Sequence, residues 1–383
     1  MSRFSNNHLL YLDNAATSFP KPPRVMQAVQ QCMVSYGGNP GRGSHTLAAR
    51  AADAVYSCRE AAGEFFHTEP ERIVFTQNAT HGLNTVIKGY LRPGDHVLIS
   101  DISHNAVYRP VYRLSQDAGI SFDVYTAGLS GAELWAELRS RIRPNTRMVV
   151  VTHMSNVSSL TDSLPEIAAF CRQFGLLCIV DAAQSAGHIP VYADMEGVTA
   201  VCVPGHKGLF GPMGTGLIAF SDHAPVCGSL TQGGSGVLSL SPDMPEDLPE
   251  HLEAGTLAVP AIAGLCEGIR FVSRHPELYQ KISRHSSWLW EEMHNIRGVT
   301  LYGGGDGGII SFVIDGISPA DTAAYLDRCG ICVRSGYHCA PLAHRKFGSM
   351  DTGTVRLSFG MFNTGRDAAR VLDAVSKCKK ILL

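Results

Sequence analysis

Lys207 lies in the glycine-rich stretch Val203-Pro204-Gly205-His206-Lys207-Gly208-Leu209-Phe210-Gly211-Pro212, and Asp181 ends the apolar run Leu176-Leu177-Cys178-Ile179-Val180, 26 residues earlier. Such a pair suits pyridoxal phosphate chemistry. A lysine amine condenses with the cofactor's aldehyde, and a carboxylate on the pyridine nitrogen keeps that nitrogen protonated, so the ring can absorb electrons from a substrate. An aspartate ending a buried strand, and a lysine in the turn after the next strand, place both groups at one edge of a sheet. Each residue also has a plainer reading. An aspartate at a strand end often caps the following helix, and a lysine among glycines is often a solvated loop residue.

Other residues could join this chemistry. The segment Thr76-Gln77-Asn78-Ala79-Thr80-His81-Gly82 joins a strand to a helix. Ala79 and Thr80 stand where backbone N–H groups and a hydroxyl can meet a phosphate, although Asn78 or Thr80 could equally be a simple helix cap. Neither this segment nor residues 205–216 carry the Gly-Lys-Ser/Thr of a P-loop. His104 follows a strand ending at Ser100, where an imidazole could stack on a flat cofactor and move protons, or be an ordinary surface histidine. Asn156 and Gln184 offer amides to a ring oxygen or a substrate carboxylate.

Cys339 lies in Val333-Arg334-Ser335-Gly336-Tyr337-His338-Cys339-Ala340-Pro341, bracketed by glycine and proline and therefore expected on a loop. Most cysteines are inert, buried and small, but an exposed one beside His338 is the kind whose thiolate is accessible. Arg334 and Arg356 flank it. A guanidinium suits bidentate capture of a carboxylate; the alternative is a surface ion pair. Cys329-Gly330-Ile331-Cys332 is a CxxC between a helix end and a strand. A redox motif would open a helix instead, and a zinc site would want a second ligand pair. The glycine reads as a helix stop, and no metal site is expected.

The elements that must position these groups alternate through the first two thirds of the chain. Apolar runs predict strands at 73–76, 96–100, 147–152, 176–180, 200–203 and 216–220, with helices at 79–90 and 165–174, the latter opening on a proline. Continuous apolar strands separated by helices argue for a mostly parallel sheet covered on both faces. Ligands of such sheets bind outside the strands' carboxyl ends, where His104, Asn156, Asp181 and Lys207 all follow strands. A helical stretch at 260–297, interrupted near Pro276, leads to a second unit: strand 309–314, helix 319–328, strands 331–334 and 354–358, and a closing helix from 366 to about 377. The expected fold is α/β: a large cofactor domain at 15–260, a connecting helical segment at 261–297, and a small α+β domain at 298–383 joined by residues 1–14.

Composition bounds the function. The 383 residues are 45% hydrophobic and 17% charged with a net charge of −2, which fits a globular enzyme and gives no electrostatic footprint for nucleic acid or an anionic membrane. Residues 1–12 lack the features of a signal peptide, and no apolar run is long enough to span a bilayer. A cytoplasmic protein is expected, and its 11 scattered cysteines read as reduced thiols.

Three stretches in order, Asp181-Ala182-Ala183-Gln184-Ser185, Gly205-His206-Lys207 and Arg334-Ser335-Gly336-Tyr337-His338-Cys339-Ala340, carry a resemblance that runs from Tyr11-Leu12-Asp13-Asn14-Ala15-Ala16-Thr17 to Phe362-Asn363-Thr364. The chain resembles the class V aminotransferase superfamily of fold-type I pyridoxal phosphate enzymes. More closely, it is similar to the group II cysteine desulfurases and selenocysteine lyases. The resemblance implies that Lys207 binds the cofactor covalently, Asp181 pairs with the pyridine nitrogen, Gln184 bonds the phenolic oxygen and His104 stacks on the ring. Thr80 and His206, with Ala79 at the helix entry, would hold the phosphate. Thr256, in Glu253-Ala254-Gly255-Thr256, matches a threonine that reaches the neighbouring subunit's phosphate, which implies a homodimer. Asn156 and Arg356, with Arg334 and Ala15, would bind the substrate, L-cysteine or L-selenocysteine. Cys339 would accept the sulfur, form a persulfide, release L-alanine and pass the sulfur or selenium to an acceptor protein.

The chain departs from that pattern at Pro204, where relatives often carry a phosphate-binding serine, at Ala79, which reduces a hydroxyl pair to Thr80, and at Ser103, where many carry an acid. Three further readings stand beside the first: a selenocysteine lyase, an aminotransferase or C–S lyase with Cys339 incidental, and a non-catalytic sulfur relay.

Overall fold

In a computed structural model of the chain, residues 9–41 and 43–382 are described. In chain order the elements are β1 (Leu10–Tyr11), α1 (Pro23–Ser35), α2 (Thr46–Phe66), β2 (Ile73–Thr76), α3 (Ala79–Tyr90), β3 (His96–Ser100), α4 (Asn105–Asp117), β4 (Ser121–Tyr125), α5 (Gly131–Arg141), β5 (Thr146–Thr152), α6 (Leu164–Phe174), β6 (Leu177–Asp181), β7 (Ala200–Pro204), β8 (Gly216–Phe220), α7 (Val259–Ser273) and α8 (Leu278–His294). There follow β9 (Val299–Tyr302), β10 (Ile309–Ile314), α9 (Pro319–Arg328), β11 (Ile331–Cys332), β12 (Arg334–Gly336), α10 (Pro341–Lys346), β13 (Thr354–Ser358) and α11 (Gly365–Leu382). Contacts divide them into two units. The larger holds residues 21–153 and 162–276, and the smaller holds 154–161, 277–382 and the chain up to Pro20, of which residues 1–8 lie outside the described part.

The larger unit is built on a seven-stranded sheet of order β2-β8-β7-β6-β5-β3-β4. Only β8 runs against its neighbours; the rest are parallel. Every residue of β3, β6, β7 and β8 is buried, as continuous apolar strands require when helices cover both faces. The core packs Phe66, Leu98, Tyr125, Phe170, Val180 and Leu217 together. The edge strand β4 and helices α1, α2, α4 and α5 fall outside the expected elements. β4 reads Ser-Phe-Asp-Val-Tyr and is only half-buried, so no apolar run marks it, and α4 carries Pro110 in its interior.

The smaller unit has a four-stranded antiparallel sheet of order β12-β13-β10-β9. A short parallel pair joins β1 to β11, with Leu10 beside Ile331. Gly330, at φ +72°, turns the chain from α9 into β11, the helix stop expected within the CxxC. The strand expected at 331–334 is two strands broken at Val333, and the closing helix continues to Leu382.

Candidate active site

In the larger unit the parallel strands bring their carboxyl ends to one edge. There β2 leads to Ala79 and Thr80, β3 to His104, β6 ends on Asp181, and β7 leads to His206 and Lys207. Asp181 is 3% exposed. Its Oδ1 accepts a 3.0 Å hydrogen bond from the Ala183 amide. Burial pushes this carboxyl up, while that amide and the Lys207 charge pull it back. Lys207 is therefore within electrostatic reach of Asp181.

Backbone contact explains how. A Cβ on Gly208 would lie 2.1 Å from the Ala186 carbonyl, and one on Gly187 would lie 2.4 Å from the Gly208 carbonyl. The turn after Asp181 and the turn that carries Lys207 therefore touch main chain to main chain, an approach only glycine allows.

The neighbouring imidazoles are neutral. His206 is drawn down to about 4 by burial and then by the charges of Lys207 and Lys21. His188, whose ring bonds the Gln184 carbonyl at 2.7 Å, is also lowered, by burial first. Gln184 is itself buried. Lys21 donates from Nζ to the His206 carbonyl at 2.6 Å, and burial lowers its amine to about 8. The sequence reading missed this lysine, since nothing local marks one charge between two prolines.

His104 is the N-cap of α4: its Nδ1 accepts from the Ala106 amide at 3.0 Å, so the ring proton sits on Nε2. Ser103 turns inward to the Thr152 hydroxyl. At the entry to α3, Asn78 caps the helix by accepting from the His81 amide at 2.9 Å. Ala79 and Thr80 follow as the first two helical residues, whose N–H groups have no intrahelical acceptor by the geometry of a helix start. Asn78 is thus the helix cap, and Thr80 stands in the first turn behind it.

Thr256 is exposed. It borders a cleft of about 800 Å³ with Asn39, Tyr56, Arg59 and Gly236, and a smaller cavity with Gln77, His81 and Thr215. Its segment is anchored by Glu253, which pairs with Arg59 at 2.5 Å and accepts from the Phe75 amide at 2.6 Å.

The smaller unit gathers a second cluster. Arg356 is 2% exposed on β13. Its Nη2 meets Asp13 Oδ1 at 2.8 Å, its Nη1 donates to the Asn156 carbonyl at 3.0 Å, and its Nε has no partner among the described residues. The ion pair considered for it is thus buried rather than superficial. Arg334 is exposed and lies opposite Arg356 in the β12–β13 register. The Ala15 amide donates to the Ser358 hydroxyl at 2.9 Å.

Of the 11 cysteines Cys339 alone is exposed, and all are free thiols. It stands on a turn with His338, at φ +55° and +48° respectively. The His338 ring is turned inward, 3.1 Å from the Thr354 hydroxyl, and burial, then Arg356, draws it down to about 2. It is a neutral buried ring and no imidazolium partner for the thiol. Sequence reasoning missed Asp13, which is 343 positions from Arg356 and carries no local signal.

The donors fit pyridoxal phosphate. It needs an amine, a carboxylate for the ring nitrogen, a donor for the phenolic oxygen and several donors for a phosphate. The sheet edge offers Lys207, Asp181, Gln184, and Thr80 and His206 with the amides that open α3. No group of three metal-ligating side chains occurs among the described residues.

A mostly parallel sheet with a lysine and a buried aspartate at its carboxyl edge defines a pyridoxal phosphate enzyme of fold-type I. The chain belongs to the Aminotransferase class-V family, which it matches over residues 10–371. It is 36% identical over 370 residues to a probable cysteine desulfurase of Methanothermobacter thermautotrophicus, covering 94% of this chain and 92% of that one. Among solved structures it is similar to the apo cysteine desulfurase of Thermococcus onnurineus NA1, with a TM-score of 0.87, 28% identity, and coverage of 98% and 96%. It is also similar to the Escherichia coli cysteine desulfurase CsdA in an S-sulfonic acid form, with a TM-score of 0.88, 26% identity and the same coverage.

Proposed function

We propose that this chain is a pyridoxal phosphate-dependent cysteine desulfurase, which converts L-cysteine to L-alanine and keeps the sulfur as a persulfide on Cys339. The observation that carries the reading is the single exposed cysteine, held on a turn whose neighbours are buried, in a chain that also sets Lys207 beside Asp181.

When bound, the cofactor supplies an electron sink for the substrate's α-carbon. Lys207 holds it through Nζ and then moves the α-proton. Asp181 would keep the ring nitrogen protonated, Gln184 would bond the phenolic oxygen, and His104, fixed by its capping bond, would stack on the ring with its proton on Nε2. Thr80, His206 and the amide of Ala79 hold the phosphate as neutral donors; Pro204 adds none. Arg356 takes the substrate carboxylate, with Arg334 beside it and Ala15 lining the same site. The Cys339 thiolate attacks the substrate sulfur. The sulfur–Cβ bond breaks, its electron pair takes up a proton at Cβ, and the products are alanine and the Cys339 persulfide.

A second copy of the chain supplies Thr256, whose exposed position beside an open cleft supports a homodimer. The persulfide then passes to an acceptor protein at the exposed turn. No helix among the described residues is long and apolar enough to cross a membrane.

Incubation of the loaded enzyme with L-cysteine, followed by mass analysis of the Cys339 peptide, should show one added sulfur and equimolar alanine. Cys339→Ser should keep the lysine-bound cofactor absorbance and lose both. Unchanged alanine release would remove Cys339 as acceptor. Full activity of that variant with L-selenocysteine alone would mark a selenocysteine lyase, and a keto acid product would mark a transaminase.

A further inference from the structure

Main-chain bonds close the turn that carries Lys207. The Gly205 amide donates to the Thr215 carbonyl at 2.7 Å, the Gly211 amide to the Gly205 carbonyl at 2.7 Å, and the Phe210 amide to the Lys207 carbonyl at 2.9 Å. The His206 carbonyl is different. It accepts a 2.6 Å bond from Lys21 Nζ, a side chain 185 positions earlier. That oxygen belongs to the peptide that joins His206 to Lys207. A peptide unit is planar and rigid, so a bond to its oxygen sets the plane from which Lys207 departs.

Lys21 is itself held. It stands between Pro20 and Pro22, and a residue that precedes a proline is confined to extended backbone. Helix α1 begins two residues on, at Pro23. It seats on the same helix as the Lys207 segment: a Cβ on Gly264 of α7 would lie 2.7 Å from Val29 Cγ2 and 2.9 Å from Pro212 Cγ. Leu265, the next residue of α7, presses on the turn itself. Its Cδ1 would lie 3.0 Å from a Cβ on Gly205 and 2.7 Å from one on Gly211. The helix that follows Lys21 and the turn that accepts its bond therefore share one support.

The donor is also charged. Burial lowers the Lys21 amine to about 8, which leaves most of it protonated at neutral pH, and a charged donor makes a shorter and stronger bond than a neutral one. After burial and Lys207, its charge also helps to draw the His206 ring down.

We infer that Lys21 is a positioning residue for the cofactor's anchor: its ammonium fixes the His206–Lys207 peptide and thereby the course of the Lys207 side chain. The inference rests on Lys207 as the anchor and is independent of the sulfur chemistry at Cys339.

The test reads bond formation at Lys207 and not turnover. Pyridoxal phosphate is added to the full chain freed of cofactor, borohydride reduces the imine as it forms, and the label on Lys207 is followed by mass. Lys21→Met keeps the side chain's length and removes its charge. It should slow labelling about tenfold or more, since misplacing a reacting group by about 1 Å costs up to about a hundredfold. The factor should be the same with pyridoxal, which lacks the phosphate. Lys21→Arg restores a charged donor and should recover most of the rate. The buried thiols Cys178 and Cys202, on β6 and β7, should stay unreactive towards a thiol reagent in every variant; their exposure would reduce Lys21 to a general structural role. Should Lys21→Met fail to fold, Lys21→Gln keeps a neutral donor of shorter reach and should show the same loss. Labelling of Lys21→Met within about twofold of wild type would overturn the inference. So would a loss confined to pyridoxal phosphate, which would place Lys21 on the phosphate, or an equal loss in Lys21→Arg. A wild-type chain labelled on another lysine would instead sink Lys207 as the anchor.

Discussion

Asp13→Asn removes one charge from a buried ion pair of the smaller unit. Arg356 is 2% exposed and its side chain meets Asp13 Oδ1 at 2.8 Å. Burial draws the guanidinium pKa down, and Asp13 offsets part of that fall. Removing one partner of a fully buried pair costs about 3–5 kcal/mol, because the other charge stays behind uncompensated. Two features of this pair lower the figure. The Asp13 side chain is 21% exposed, and asparagine keeps an oxygen that can accept from Nη2. A loss of about 2–3 kcal/mol follows, which corresponds to a fall in Tm of roughly 5–10 °C for a unit of this size. The same change loosens the aim of Arg356, so kcat/KM for L-cysteine should drop about tenfold, equivalent to about 1.4 kcal/mol. A simple carboxylate such as propionate should then stabilise the variant more than the wild type, since it replaces the missing charge by mass action. Thermal melts with and without propionate, alongside steady-state kinetics, read all three effects. A Tm within about 1 °C of wild type and kcat/KM within about twofold would refute the claim that Asp13 orients Arg356.

Borohydride should fix the cofactor onto Lys207, and Lys207→Ala should lose that label while keeping its far-ultraviolet spectrum; a label on another lysine would remove Lys207 as the anchor. Gly208→Ala should lower cofactor retention and Tm together, because its Cβ would lie 2.1 Å from the Ala186 carbonyl and must part the Lys207 turn from the Asp181 turn; a variant that binds cofactor like wild type would show that this contact is not what sets the lysine. His153 gives a pH signature. Burial alone draws it from 6.5 to about 4, so the folded chain keeps the ring neutral while the unfolded chain takes up a proton below 6.5. Its contribution is intact above pH 6.5 and lost as pH falls from 6.5 towards 4, to about 3 kcal/mol. Urea melts of wild type and His153→Gln should therefore diverge on acidification, the wild type losing more; parallel losses would contradict the assignment.

What the sequence disclosed follows from where signal is local. Continuous apolar runs marked β3, β6, β7 and β8, and the residues that end them, Asp181 above all, were legible as a sheet edge because strand direction and strand end are both written in a few consecutive side chains. β4 was hidden because its half-buried residues include Asp123, and α4 because Pro110 interrupts its pattern. The expected anchor Lys207 could be named, but not the backbone contact between Gly187 and Gly208 that holds it. The pairing of Asp13 with Arg356 spans 343 positions and that of Asn156 with His338 spans 182. No periodicity records such contacts. The left-handed angles at His338 and Cys339 are equally silent, since neither residue is a glycine that would announce them.

On the proposal that Arg356 takes the substrate carboxylate, the charges of the smaller unit narrow the choice of substrate. Arg334 lies opposite Arg356 across β12 and β13, and its charge helps to lower the Arg356 guanidinium, after burial. Asp13 is the carboxylate that pairs with Arg356. Tyr11 holds its proton, pushed up to about 12 by burial and then by Asp13, and His338 is neutral because burial and Arg356 keep protons off it. Two cations against one anion leave a surplus of one positive charge. One added carboxylate balances it, and a second would reverse the sign in a place where unpaired charge is costly. The cluster therefore favours an amino acid whose side chain is uncharged when it binds. A cysteine thiol, ordinarily protonated at neutral pH, meets that condition, whereas aspartate and glutamate do not. The preference is electrostatic and local, so it should weaken when Arg334→Gln removes the surplus: L-cysteine should then bind less tightly, with little change in the step that follows binding. A rise in kcat without a rise in KM would show that Arg334 acts on the chemistry and not on the charge balance.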